Sequence, residues 1–206
     1  MLFALADSRL PIGGHVHSGG VEEAVASGLV RDVRSVELYL RRRIRTSGLV
    51  AASLAAAVCL GELSVERAEL EADARTPAPA ARTASRAQGR GLLRLAKQLW
   101  PQEDWARLGA RPHLSTVFGV VGAASGVSAQ EIAGVVVYTT LTGAATAAQR
   151  LLALDPAAIA MCTVRLAELC DQTAAAAVTG LAALSDPLQD VLAERHPHRD
   201  MPLFAS

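Results

Sequence analysis

The chain has 206 residues, 51% of them hydrophobic and only 3% aromatic, so it is long enough to bury a core built mainly from alanine, leucine and valine. Twenty basic residues balance twenty acidic ones, and Lys97 is the only lysine. This argues against a nucleic-acid binder, which carries a basic excess. The three cysteines, Cys59, Cys162 and Cys170, form no C-x-x-C and exclude a disulfide framework or thiolate zinc site, in keeping with a reducing cytoplasm.

The composition favours helices and offers few strand formers, so the expected fold is all-α: a single-domain bundle of roughly eight to ten helices spanning 1–206. It would be flanked by a glycine-rich segment at 1–20 and a tail at 196–206. The opening "PIGGHVHSGG" leads into a short helix whose Glu22 and Glu23 complement the N-terminal dipole. Asp32 is placed to cap a helix with Val33, Val36, Leu40 and Ile44 on one face. Gly48 is expected to bend or end it, before an alanine-rich helix through Cys59. Ser64 starts another helix, ending near Arg75.

"TPAPAAR", residues 76–82, reads as an extended connection fixed by two prolines. A basic amphipathic helix follows over 84–100, and "PQEDWARLGARPH" reads as a polar surface excursion. In "FGVVGAASG", Gly119, Gly122 and Gly126 let helices approach closely. Ser128 and Glu131 form a capping box ahead of a helix apolar almost all round. Its charge-free run, 132–149, is rich in Ala, Gly and Thr, which suits a buried central helix rather than a membrane span. Asp155-Pro156 and Asp186-Pro187 are two further N-cap-plus-proline starts. The first opens a helix burying Ile159, Cys162, Leu166, Leu169, Thr173 and Ala177. The second opens a last helix over 188–195.

The chemistry-bearing residues gather at the two ends. His15 and His17 flank Val16, and His196 and His198 flank Pro197; in extended backbone each pair would present two imidazoles on one side, a weak nickel contact. Neither thiolates nor a carboxylate cluster accompany them, so no tightly bound metal is expected and only transient nickel fits. "GGHVHSGG" lacks the P-loop pattern, and Ser18 lacks the G-x-S-x-G context of a hydrolase nucleophile. "RRRIR", 41–45, spreads around its helix and reads as a solvated face or protein interface. No catalytic constellation is apparent, and the chain is expected not to be an enzyme. Leu203 and Phe204 near the terminus call for a covering surface, and the two ends are expected to be ordered only where something ties them down. Two other readings stay open at this point: a small metal carrier using the four histidines, and a helical enzyme acting through His17 and Ser18.

"LADSRLPIGGHVHSGGVEEAV" resembles the opening of the urease accessory protein UreF family, with Leu5, Ala6, Asp7, Leu10, Pro11, Gly13, Gly14, His17, Ser18, Gly20, Val21 and Glu22 in register. "RTASRAQGRGLLRLA" is similar to its middle helix, with Arg82, Ser85, Arg86, Gln88 and Gly89 matching. "HLSTVFGVVGAASGV" and "TGAATAAQRLLALDP" resemble later helices, and "HPHRDMPLFAS" the family ending. His15, Gly19, Val21 and Pro202 depart from the pattern. Pro202 replaces an arginine before Leu-Phe, for which Arg199 is a substitute. The resemblance implies a cytoplasmic homodimer that bridges UreD (also called UreH) and the GTPase UreG, and assists GTP-dependent nickel insertion into apo-urease, without membrane or nucleic-acid partners. It also implies partner-binding roles for Pro11, Gly13, Gly14, His17, Ser18, Glu22, His196, Arg199, Leu203, Phe204 and Ser206.

Overall fold

In the computed structural model, the described residues are all of 1–206 except Ser8, Arg9, Pro11, Gly13, Ser185, Ser206 and the side chain of His15. Among them there is no strand, and the expected all-α fold is what forms. The helices are α1 (Leu2–Leu5), α2 (Val21–Ala26), α3 (Val33–Arg43), α4 (Leu49–Cys59), α5 (Val65–Ala74), α6 (Pro79–Leu99), α7 (Leu114–Ser125), α8 (Ala129–Leu152), α9 (Pro156–Arg165), α10 (Ala167–Ala177) and α11 (Pro187–Arg195).

The capping chemistry read from the sequence sets most starts. Asp32 Oδ1 accepts from Ser35 N at 2.8 Å and Ser128 Oγ accepts from Glu131 N at 3.2 Å, both in complete capping boxes. Asp155 and Asp186 cap α9 and α11, each with proline in the first helical turn.

The centre of the bundle is α8, which packs on α2, α3, α4, α7, α9 and α10. Small residues make this density available. A Cβ on Gly119 would lie 2.5 Å from Val58 Cβ and 2.7 Å from the Ala55 carbonyl, so only glycine lets α7 lie this close to α4. Gly126 does something else: it takes a left-handed φ of 70° and closes α7 as its C-cap.

Several expectations are corrected. Helical conformation does not stop at Gly48; a π turn, Ile44–Gly48, carries α3 into α4. The connection at 76–82 is shorter than expected, because Pro79 occupies the first turn of α6 and lacks only an amide that needs no helical partner. The expected helix from Pro156 is two helices, broken at Leu166, although all six residues of its apolar face are buried. The polar excursion at 101–113 is not wholly superficial. Asp104 caps a 3-10 turn, Trp105–Leu108, whose first and last residues share a face and are buried; Trp105 Nε1 donates to the Trp100 carbonyl at 2.7 Å. No helix among the described residues is long and apolar enough to cross a membrane.

Candidate functional site: a carboxylate that joins the two ends

Glu22 sits on the second residue of α2 and, with 1% of its surface exposed, does more than complement the helix dipole. Its Oε1 accepts from Leu203 N at 2.8 Å, and its Oε2 accepts from Phe204 N at 3.2 Å. Oε2 also lies 2.9 Å from His196 Nε2, and Arg199 Nε is 3.5 Å from Oε1. Arg199 Nη1 reaches Glu23 Oε1 at 3.1 Å, so the arginine substitute suggested by the sequence does face this carboxylate pair. Burial pushes the Glu22 carboxyl up, but the bonds from Leu203, His196 and Phe204 and the His196 charge outweigh it and hold it below the usual carboxylate range.

The backbone path into α2 explains why the carboxylate points there. Gly19 and Gly20 take φ of 62° and 85°, a left-handed pair that most residues avoid. Their turn aims the Gly19 carbonyl at three donors: Arg43 Nη1, Gln189 Nε2 at 2.6 Å and Tyr39 Oη at 2.9 Å. Ser18, fully buried, accepts from Glu22 N through Oγ at 3.3 Å. Gln189 belongs to α11, whose start is fixed to α3 by Asp186. That carboxylate takes Arg42 Nε and Nη2 at 2.9 and 2.6 Å and Thr46 Oγ1 at 3.0 Å. Burial raises the Asp186 carboxyl, and the bonds from Arg42, Thr46 and Gln189 lower it by more. Pairing of this kind also answers "RRRIR": Arg41 meets Glu37, Arg42 meets Asp186 and Arg43 meets Gly19.

The tail is therefore tied down within its own chain. Phe204 is 6% exposed, with the Arg150 guanidinium 5.2 Å above its ring, while Leu203 remains 74% exposed. Ala205 N donates to the Val16 carbonyl at 2.6 Å, which sets the tail beside the opening segment. Pro11, Gly13 and Ser206 lie outside the described residues.

The second histidine pair does not adopt the extended backbone that would align its rings. His196–His198 is a 3-10 turn rather than extended, so these two residues, two apart within it, diverge, and the side chain of His15 lies outside the described residues. His196 is buried on Glu22 whereas His198 is exposed, and His17 is half-buried. Among the described residues no group of three or more His, Cys, Asp or Glu could hold a metal.

A cleft of about 700 Å³ runs between the opening segment, α6, α8, α11 and the tail, with Gly14, His17, Ser18, His196 and Phe204 in its wall. Ser85 and His113, also in its wall, belong to a second polar cluster that no motif in the sequence assembles. His113, 1% exposed, has Nδ1 3.0 Å from Ser85 Oγ and Nε2 2.9 Å from Asp73 Oδ1. Arg86 bridges Asp73 and Glu69, both at 2.9 Å.

The UreF family model matches residues 30–167. Three relatives named urease accessory protein UreF align over the whole of this chain: one from Mycobacterium sp. (strain JLS), 65% identical and 97% covered; one from Mycobacterium marinum, 61% and 98%; and one from Mycobacterium tuberculosis (strain ATCC 25177 / H37Ra), 59% and 98%. The chain belongs to the UreF family. The family model stops short of both ends, whereas the full-length alignments to these UreF proteins include them. It is at those ends that the opening and closing motifs meet, through Glu22. As UreF motif positions, Ser18 and Glu22 are far in the sequence from His196, Arg199 and Phe204, and the structure brings them to one place. Tyr39 and Gln189 carry no signal of their role in the sequence, and Asp186 carries only that of an N-cap.

Proposed function

We propose that this chain is a homodimeric adaptor of urease maturation, resident in the cytoplasm. It bridges UreD (UreH) and the GTPase UreG and assists GTP-dependent nickel insertion into apo-urease, carrying out none of that chemistry itself. The observation that carries the reading is the Glu22 clamp within a chain that aligns with UreF proteins from one end to the other. It buries Phe204, yet leaves Leu203 and Val16 facing outward on joined segments, with Met201 91% exposed nearby in sequence. An apolar surface built from both termini is suited to a protein partner. Differential contact with the two nucleotide states of the GTPase would couple hydrolysis to release of nickel, the cargo. Transient contacts with that cargo fall to His15, His17, His196 and His198. Partner contacts fall to the motif residues at the two ends, from Pro11, Gly13 and Gly14 to Leu203, Phe204 and Ser206.

The test is capture of UreD and UreG by the purified chain, alongside urease activation in cells. Leu203→Ala is expected to lose capture while keeping its melting temperature, because the side chain is exposed. Full capture by this variant refutes the assignment of the tail surface. Urease activation that survives removal of the whole chain refutes the function. Replacing all four histidines with alanine without loss of nickel delivery removes the cargo contacts.

A further inference from the structure

Ser85, His113 and Asp73 form a hydrogen-bonded series with the order and polarity of a nucleophile, its base and the group that orients the base. We propose that Ser85 is an acylatable nucleophile and that the chain hydrolyses small carboxylic esters bound in the cleft, an activity separate from the adaptor role. Three observations converge. The first is the geometry, with contacts of 3.0 and 2.9 Å on the two nitrogens of a ring that is 1% exposed. Asp73 carries two acceptor oxygens and no proton. Its hold on Nε2 therefore places the ring hydrogen there and leaves the Nδ1 lone pair facing the Ser85 hydroxyl. The bonds from His113 and Arg86 overcome the effect of burial and hold the Asp73 carboxyl below its ordinary range, so it remains ionised.

The second is access. Ser85 is half-buried, and both Ser85 and His113 line the cleft of about 700 Å³, whose nearby wall includes Ala81, Ala84, Leu114 and Phe118. That lining suits a short apolar acyl chain. The third is charge stabilisation. Leu114 N, the first amide of α7, donates to Ser85 Oγ at 3.2 Å. That bond holds the attacking oxygen at the start of α7, and because the first-turn amides of a helix have no partner within it, the substrate's carbonyl oxygen would find its donors among those that follow Leu114 N.

The step balances with water as the only co-reactant. Ser85 Oγ bonds to the ester carbonyl carbon as its proton passes to His113 Nδ1. The bond to the alkoxide then breaks, and the leaving alcohol takes that proton. Water attacks the acyl-serine, returning a proton through His113 to Ser85 and releasing the acid. Asp73 is a positioning residue.

The probes are p-nitrophenyl butyrate and a biotinylated fluorophosphonate, used on the purified full chain without urease or its other accessory proteins. The expected result is fluorophosphonate attached to Ser85 by peptide mapping, with ester turnover lost at least about 100-fold in Ser85→Ala and His113→Gln. Asp73→Asn is expected to move the pH midpoint of labelling, which a purely structural role would leave in place. Mapping on the wild-type chain needs no variant to fold. An unlabelled Ser85, or turnover unchanged in Ser85→Ala, overturns the proposal and leaves the adaptor reading untouched.

Discussion

Replacing Glu22 with glutamine keeps the side-chain volume and exchanges one acceptor oxygen for an NH2 donor. Leu203 N, Phe204 N and His196 Nε2 all point at the two carboxylate oxygens, so at least one of them loses its partner. A hydrogen bond to a charged group contributes about 1.5–3 kcal/mol. Every bond at stake closes the tail on the bundle, so the loss falls on local opening of the tail before it falls on global unfolding. Each 1.4 kcal/mol is tenfold in an equilibrium constant, and the opening population rises roughly 10- to 150-fold. Native-state hydrogen exchange reads this directly at the Leu203 and Phe204 amides, with α8 amides such as Val136 as the unaffected reference. Exchange at both tail amides within twofold of the parent refutes the clamp. Acid provides the same test without mutation. The folded Glu22 carboxyl lies below its ordinary value, so its contribution is fully present above that ordinary value and is lost as pH falls through the folded one. Tail exchange, corrected for its intrinsic pH dependence, is expected to accelerate over that acid window.

Three other outcomes follow from the packing. Gly20→Ala combines a left-handed φ of 85° with a Cβ that would lie 2.3 Å from Gln189 Nε2; a loss of at least about 1–2 kcal/mol in urea titration is expected. Gly119→Ala drives a methyl into Val58 and the Ala55 carbonyl and is expected to cost about 1–3 kcal/mol; an unchanged urea midpoint would contradict the close approach of α4 and α7. Asp186→Ala removes both the cap of α11 and the partner of Arg42. Because Arg42 is half exposed, we expect only about 1–2 kcal/mol, most of it the cap, seen as a lower midpoint at pH 7 with the difference narrowing in acid.

Much of the helical framework was legible because its signals are local. Asp32, Ser128, Asp155 and Asp186 announce their helices within four residues, and the apolar face from Ile159 to Ala177 survives even the break at Leu166. The losses are of two kinds. Trp105 and Leu108 were hidden by polar neighbours, since a four-residue 3-10 turn is too short to show a period. The site was hidden by distance: Glu22 meets Leu203 across 181 residues, and Asp73, Ser85 and His113 come from different helices or their ends. Composition around each residue carries no trace of such partners. The extended backbone expected at His196 and His198 failed for a related reason: Pro197 and the end of α11 carry the chain on as a turn.

The clamp also orders events in time. At a synthesis rate of about 5–20 residues per second, the 181 positions between Glu22 and Leu203 take roughly 10–40 s to make. Through that interval the buried carboxylate has no Leu203 or Phe204 amide to accept from, even when the rest of the bundle can already pack. The Glu22 side of the junction is thus made long before the segment that completes it. A chain that stops before Leu203 leaves a bundle whose opening segment has no tail to hold, so the junction reports whether synthesis has passed that point.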